Sequence, residues 1–286
     1  MRRETANCGR FRGCLLSDTA LETDDELVAI APTARAVCAI VRRVTRSRGP
    51  VTRILTTASA ANTAVDDFIT ELYLAAARDT SQLTVYATDD DAITAALRET
   101  LPVLVADNHV RVLIPTPDRQ SAWTVTQADA ATADSIRQQY DPVFQSATPV
   151  ATDLPGPDDL YGTLADHLSR AFCDDLETIV ETVDQLGGAD DPLNVGLVYV
   201  LLGGRHQCNL RTLSHAAEDA GLFARSTVHR RKRKLVDAGL LEYEKVPADG
   251  GQGGRNRHQL KVADDDLADV PVEQLVATLR DHAQNL

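Results

Sequence analysis

The segment Arg225–Leu235, followed by Ala238-Gly239-Leu240, constrains this chain more than any other. On a helix, Val228 and Leu235 stand two turns apart on one face, and Ala238 continues that face. Nearly every other position is polar or cationic, so the helix has only a narrow apolar stripe by which neighbours can hold it. Gly239 stops it. The flanking sequence supplies the neighbours. Pro192–Leu202 reads as an apolar helix, Asn209 caps a second helix over Leu210–Ala220, and Gly221 makes a tight turn into the basic helix that begins near Ser226. Downstream, Leu240–Val246 and His258–Val262 read as strands around Pro247–Arg257, a loop with four glycines. Helix, helix, turn, helix and Gly-rich hairpin is the order of a winged helix-turn-helix.

Charge sharpens this reading. The chain of 286 residues carries a formal net charge of −13, yet its only lysines are Lys232, Lys234, Lys245 and Lys261. Arg205–Lys261 has a net charge of +6 and the remainder −19. A basic island on an acidic background is the footprint of an anion-binding module, and double-stranded DNA is its first candidate partner. The expected contacts on the basic helix are Arg225, Ser226, Thr227, His229, Arg230, Arg233 and Lys234. Hydroxyls and free N–H groups of the first turn suit phosphate, and the long cations reach base edges. Arg255 and Arg257 on the hairpin suit phosphate or the minor groove. The alternative is a winged helix that contacts other proteins without reading DNA sequence. The Asp-rich, Lys-poor composition, with 4% aromatic residues, suggests adaptation to a salty cytoplasm.

The first half alternates short β-type runs with helical patterns. Strands are expected at Leu27–Ala31, Val51–Thr56 and Leu83–Thr88, with helices from Pro32 toward Arg48 and over Ala60–Arg78, and another starting at Asp89-Asp90-Asp91. Pro102–Ala106 and His109–Ile114 flank Asp107-Asn108 as a hairpin, Ala122–Thr126 continues the meander, and Ala130–Ser146 closes it as a helix. The fold class expected is an α/β N-terminal sensor domain (mixed sheet with helices) over residues 1–150. A strand passes into a helix at Thr56-Thr57-Ala58-Ser59, so Thr56, Thr57 and Ser59, with Arg53 as counter-charge, form a candidate site for a small-molecule metabolite such as a sugar phosphate.

Ala147–Asp159 reads as a linker. Behind it Leu160, Leu164, Leu168, Phe172, Leu176, Ile179, Val183 and Leu186 recur at three- and four-residue steps. That pattern is one long amphipathic helix, taken as a dimerisation helix over 158–187 and the seam of a homodimer; packing on its own domain is the other reading. The winged helix-turn-helix follows at 188–263 and a tail helix at 264–286. No uncharged stretch exceeds the 13 residues of Pro192–Gly204, too short for a membrane span. No N-terminal apolar h-region follows Met1-Arg2-Arg3. The chain is expected to be cytoplasmic, with no membrane partner. Five cysteines without a C-x-x-C pair argue against a disulfide framework or zinc site. His206, Cys208 and His215 read as structural rather than as metal ligands. Phosphate-loop, dinucleotide and nucleophile-elbow motifs are missing, so no catalytic residue, cofactor or metal is expected.

The run Ser226-Thr227-Val228-His229-Arg230-x-Lys232-x-Lys234-Leu235-x-x-x-Gly239-Leu240, followed by Glu244-Lys245-Val246-Pro247 and a Gly/Arg hairpin, resembles the haloarchaeal TbsP-type winged-helix transcriptional regulators. The strand–helix order upstream is similar to that family's N-terminal half. The resemblance implies a regulator linked to sugar metabolism. Generic winged helices carry a core leucine at the Lys232 position, whereas this sequence, like the family, carries lysine. Either its stem snorkels from the core or the helix is rotated. The family's Gly-Arg-Pro-Arg run is replaced by Gly250-Gly251-Gln252-Gly253-Gly254-Arg255-Asn256-Arg257. The N-terminal architecture is also similar to phospholipase-D-like effector modules, but with no lysine before Lys232 their His-x-Lys pattern is impossible here.

Overall fold

The computed structural model describes residues 26–47, 50–89, 91–98, 101–115, 122–186, 195–246, 257–263 and 265–283. The chain divides into two compact units between Thr152 and Asp153.

The N-terminal unit runs β1 (Leu27–Ile30), α1 (Ala34–Ser47), β2 (Thr52–Thr57), α2 (Ala58–Val65), α3 (Phe68–Thr80), β3 (Leu83–Thr88), α4 (Asp91–Arg98), β4 (Val103–Val105), β5 (Val110–Pro115), β6 (Ala122–Gln127), α5 (Ala130–Ser146) and β7 (Thr148–Pro149). Its sheet has the order β6-β5-β4-β1-β2-β3-β7. β1, β2 and β3 are parallel, and the other pairings are antiparallel. Leu27 and Ala29 pack with Val37, Ile40, Val41 and Val44 of α1, while Val28 and Ile30 pack with Leu97 of α4 and Phe144 of α5. Helices therefore cover both faces of the sheet, which is why β1 is apolar at every position.

Two expectations fail here for local reasons. The helix expected over Ala60–Arg78 is two helices. Asp67 adopts an extended backbone, its carboxylate accepts from Thr70 N at 2.9 Å, and it pairs with Arg42 of α1 at 2.6 Å. This side-chain cap starts α3 inside a run whose apolar spacing looks unbroken. The linker expected at Ala147–Asp159 begins with β7, which adds to the edge of β3 through Ala87↔Thr148 and Tyr86↔Pro149.

The C-terminal unit runs α6 (Pro157–His167), α7 (Arg170–Leu186), α8 (Val195–Arg205), α9 (Leu210–Asp219), α10 (Arg225–Asp237), β8 (Leu241–Val246), β9 (Arg257–Val262), α11 (Asp265–Asp269) and α12 (Val272–Ala283). Every residue of α8 from Val195 to Gly204 is buried. β8 and β9 form an antiparallel hairpin, and Gly221 and Gly239 take positive φ (71° and 73°) at the turns before α10 and before β8. The tail holds α12 where a helix is expected, preceded by the short α11.

The single helix expected from Leu160 to Leu186 is also two. Leu168 leaves helical geometry, and the Ser169 hydroxyl accepts from Phe172 N at 3.1 Å to start α7. α6 packs on α9, and α7 packs on α8 and α12. Leu160, Leu164, Phe172, Leu176 and Ile179 are all fully buried inside this unit. These five positions pack within their own unit, and the one long helix expected over 158–187 is corrected to two. Leu164→Ala and Leu176→Ala should each cost about 2–5 kcal/mol of stability. Chemical denaturation measures that loss, and sedimentation should find each variant with the mass of the parent chain.

Candidate nucleic-acid interface

α10 is seated by two apolar side chains, Val228 and Leu235, both fully buried. Helical periodicity then turns Ser226, His229, Arg230, Arg233 and Lys234 outward, and all five are exposed. None of His229, Arg230, Arg233 and Lys234 is ion-paired with another described residue. The result is an uncompensated cationic face about three turns long. The first turn places the Ser226 hydroxyl beside backbone N–H groups that have no partner within the helix.

Other expected contacts fare differently. Arg225 is exposed but pairs with Glu218 of α9 across the turn, and Thr227 is half-buried. Arg255 lies outside the described residues, and for Arg257 only the backbone is described, in β9 opposite Val246. The reading from sequence missed Arg211, an exposed cation in the first turn of α9. Asn209 caps that turn, its Oδ1 accepting from Arg211 N at 2.9 Å and Thr212 N at 3.4 Å. A base two residues after a capping Asn was the available signal.

Lys232 resolves the choice posed by its position. It is half-buried, and its ammonium lies over the Tyr243 ring of β8, 4.3 Å from the centroid. The stem snorkels and helps tie the hairpin to α10.

The candidate metabolite residues do not assemble. The Thr56 hydroxyl is buried and donates to Ala31 O at 2.6 Å, and the Thr57 hydroxyl accepts from Ala60 N at 3.2 Å as the cap of α2. Arg53 pairs with Glu26 at 2.5 Å and stacks over Phe144 at 5.1 Å. Four residues of strand put Arg53 about 13 Å from Thr57, so it is no counter-charge for that strand end. Ser59 alone of the four keeps an exposed side chain. His206 pairs with Asp175 at 2.8 Å, and burial pushes the Cys208 thiol up to about 11. His215 is half-buried on α9.

The family described as Transcriptional regulator TbsP-like, N-terminal, matches residues 11–155, and its counterpart, Transcriptional regulator TbsP-like, C-terminal HTH domain, matches residues 157–280. The chain belongs to the TbsP-like transcriptional regulators. α8, α9 and α10 lie within its helix-turn-helix domain. A solved structure, that of TrmBL2, an archaeal chromatin protein described as showing a novel mode of DNA binding, is similar at 18% identity and a TM-score of 0.31. The likeness covers 45% of this chain and 46% of that one, and at that score it bears on neither fold nor function. No curated protein matches. Among the described residues, no helix is long and apolar enough to cross a membrane.

Proposed function

We propose that this TbsP-like chain is a sequence-specific DNA-binding transcriptional regulator whose winged helix-turn-helix reads its operator with the outward face of α10. The observation that carries the reading is the run of exposed cations Arg230, Arg233 and Lys234, unpaired among the described residues, on one helix of an otherwise acidic chain. In this reading Ser226 and the first-turn N–H groups hold phosphate, Arg230 and Arg233 reach base edges, and the β8–β9 hairpin is the wing. The regulator works as a homodimer. The α/β unit serves as its sensor, taking a sugar-phosphate metabolite at the C-terminal ends of β1–β3 near Ser59, in the service of sugar or central-carbon metabolism.

A gel-shift titration with random-sequence competitor tests the core of this. Arg230→Ala should cost about 1–3 kcal/mol at the preferred site and relax base choice, while Lys234→Ala should weaken all sequences alike. Footprinting should find two half-sites about 34 Å apart, and added sugar phosphates should shift the affinity. Equal losses for both variants on specific and random DNA contradict the assignment. An unaltered chain with no sequence preference favours a protein-contact role instead.

The acidic remainder, at −19, supports a protein built for a saline cytoplasm. At molar salt the Debye length is about 3 Å, so only close, matched contacts survive. Specific binding should persist in molar KCl, and dilution to about 0.1 M should unfold or inactivate the chain through self-repulsion. Circular dichroism and binding, followed together against KCl, check both halves. Tightest binding and greatest stability at the low-salt end overturn the halophilic reading.

A further inference from the structure

Two cations of α10, Arg231 and Lys232, do not face outward. Arg231 lies three residues after Val228 and four before Leu235, so it occupies the inward stripe of the helix, where an apolar residue is the ordinary choice. Its guanidinium is turned back into the C-terminal unit and lies over the Phe223 ring, 4.1 Å from the centroid. It also fills the place where Gly196 of α8 has no side chain. A Cβ on Gly196 would stand 1.6 Å from Nη1 and 2.1 Å from Cζ. Phe223 is in turn set edge-on to Tyr199 of α8 at 6.0 Å, and the Tyr199 hydroxyl donates to Leu213 O of α9 at 3.0 Å. Gly196 and Phe223 thus form a socket that connects all three helices of the helix-turn-helix.

The socket is poor value as a source of stability. Nη1 is buried without a hydrogen-bond partner, which costs free energy wherever it occurs. Burial, reinforced by Arg230, pushes the guanidinium down to about 10, so at neutral pH it is still a cation, partly withdrawn from water. A glycine inside a helix is itself destabilising. An apolar side chain at 231 facing alanine at 196 would avoid all three costs. Unlike such a pair, a planar guanidinium between a ring and a missing side chain fits one orientation of α10 only.

We propose that Arg231 is a positioning residue. Seated in the Gly196–Phe223 socket, it sets the rotation of α10 about its axis and so determines which outward side chains reach the bases. This rests on the DNA reading above. It assigns sequence discrimination to a residue that touches no DNA, and it makes Gly196 part of the recognition apparatus.

The test uses the full chain with Gly196→Ala, Arg231→Met, Arg231→Ala and the double variant Gly196→Ala/Arg231→Ala. Affinity for the preferred and for random DNA is measured against salt, and melting is recorded without DNA. Gly196→Ala closes the socket and expels the flexible guanidinium. The ratio of preferred to random affinity should then fall about tenfold. Binding to random DNA should hold or rise, with a salt slope steeper by about 0.9 as the freed cation gains a phosphate. Arg231→Met should lower the ratio without changing the slope or the melting temperature. In the Arg231→Ala background, Gly196→Ala should have no further effect on the ratio, and it should not repeat whatever melting change it causes alone.

Unchanged ratios in every variant, with only melting affected, overturn the positioning role and leave Arg231 as packing. Melting changes of Gly196→Ala and Arg231→Ala that simply add overturn the socket. If the unaltered chain shows no sequence preference, the DNA reading and the positioning role fall together, while the DNA-free melting cycle still decides whether Gly196 and Arg231 are coupled.

Discussion

The C-terminal unit depends on the burial of α8. A helix with no exposed side from Val195 to Gly204 must be surrounded, and it is: α7, α9, α10 and both hairpin strands pack against it. Close approach is possible because side chains are missing where neighbours arrive. A Cβ on Gly203 would stand 2.4 Å from Leu213 Cδ2, and one on Gly204 would stand 2.4 Å from Leu241 Cδ1. Those two glycines let α9 and β8 press against the helix backbone, as Gly196 does for Arg231. Burying a leucine contributes about 1.5–3 kcal/mol, and α10 offers only Val228 and Leu235 for that purpose. The rest of its hold comes from Arg231 over Phe223 and Lys232 over Tyr243. α10 can present so many cations outward because its inward side recruits cations as packing as well.

The N-terminal unit is governed by a different constraint, a parallel core in which every buried polar group must find a partner. Thr56 joins β2 to the end of β1, Thr57 caps α2, and Asp67 serves α3 and Arg42 together. These hydroxyls and carboxylates look like ligand chemistry when read along the chain. In three dimensions they satisfy the backbone, which is the commoner fate of hydroxyl-rich strand ends.

How much was legible follows from the range of the forces involved. The strands β1–β3, the Asp107-Asn108 hairpin, the Asn209 cap and the outward face of α10 are written in local periodicity and turn chemistry, and the sequence announces them. Leu160 to Leu186 kept helical spacing straight through Leu168, where the chain breaks. Only a serine cap at Ser169 marked it, and serine is too common to be read as a stop. The same stripe could not say what would cover it, because α9, α8 and α12 are distant in sequence. Arg53 failed for a related reason: position along a strand was visible, but its partners Glu26 and Phe144 were not. Arg231 and Lys232 stood in plain sight within a basic run, and nothing local distinguishes the cations that turn inward from those that face out.

That last point bears on how a basic helix achieves selectivity. Phosphate attraction is indifferent to sequence, and a face with Arg230, Arg233 and Lys234 would bind any duplex to some degree. Discrimination requires that a given side chain meet a given base edge within hydrogen-bond geometry. A helix held by Val228 and Leu235 alone could roll by several degrees at little cost, since dispersion contacts between small aliphatic groups are non-directional. Contacts with a defined plane or angle resist rolling. In this unit they are the guanidinium over Phe223, the ammonium over Tyr243 and the Arg225–Glu218 ion pair across the turn. All three use charge on the inner or flanking side of α10. On the proposed DNA reading, the division of labour within one short segment is between cations that face outward to supply affinity and cations that face inward to fix the angle at which that affinity is applied.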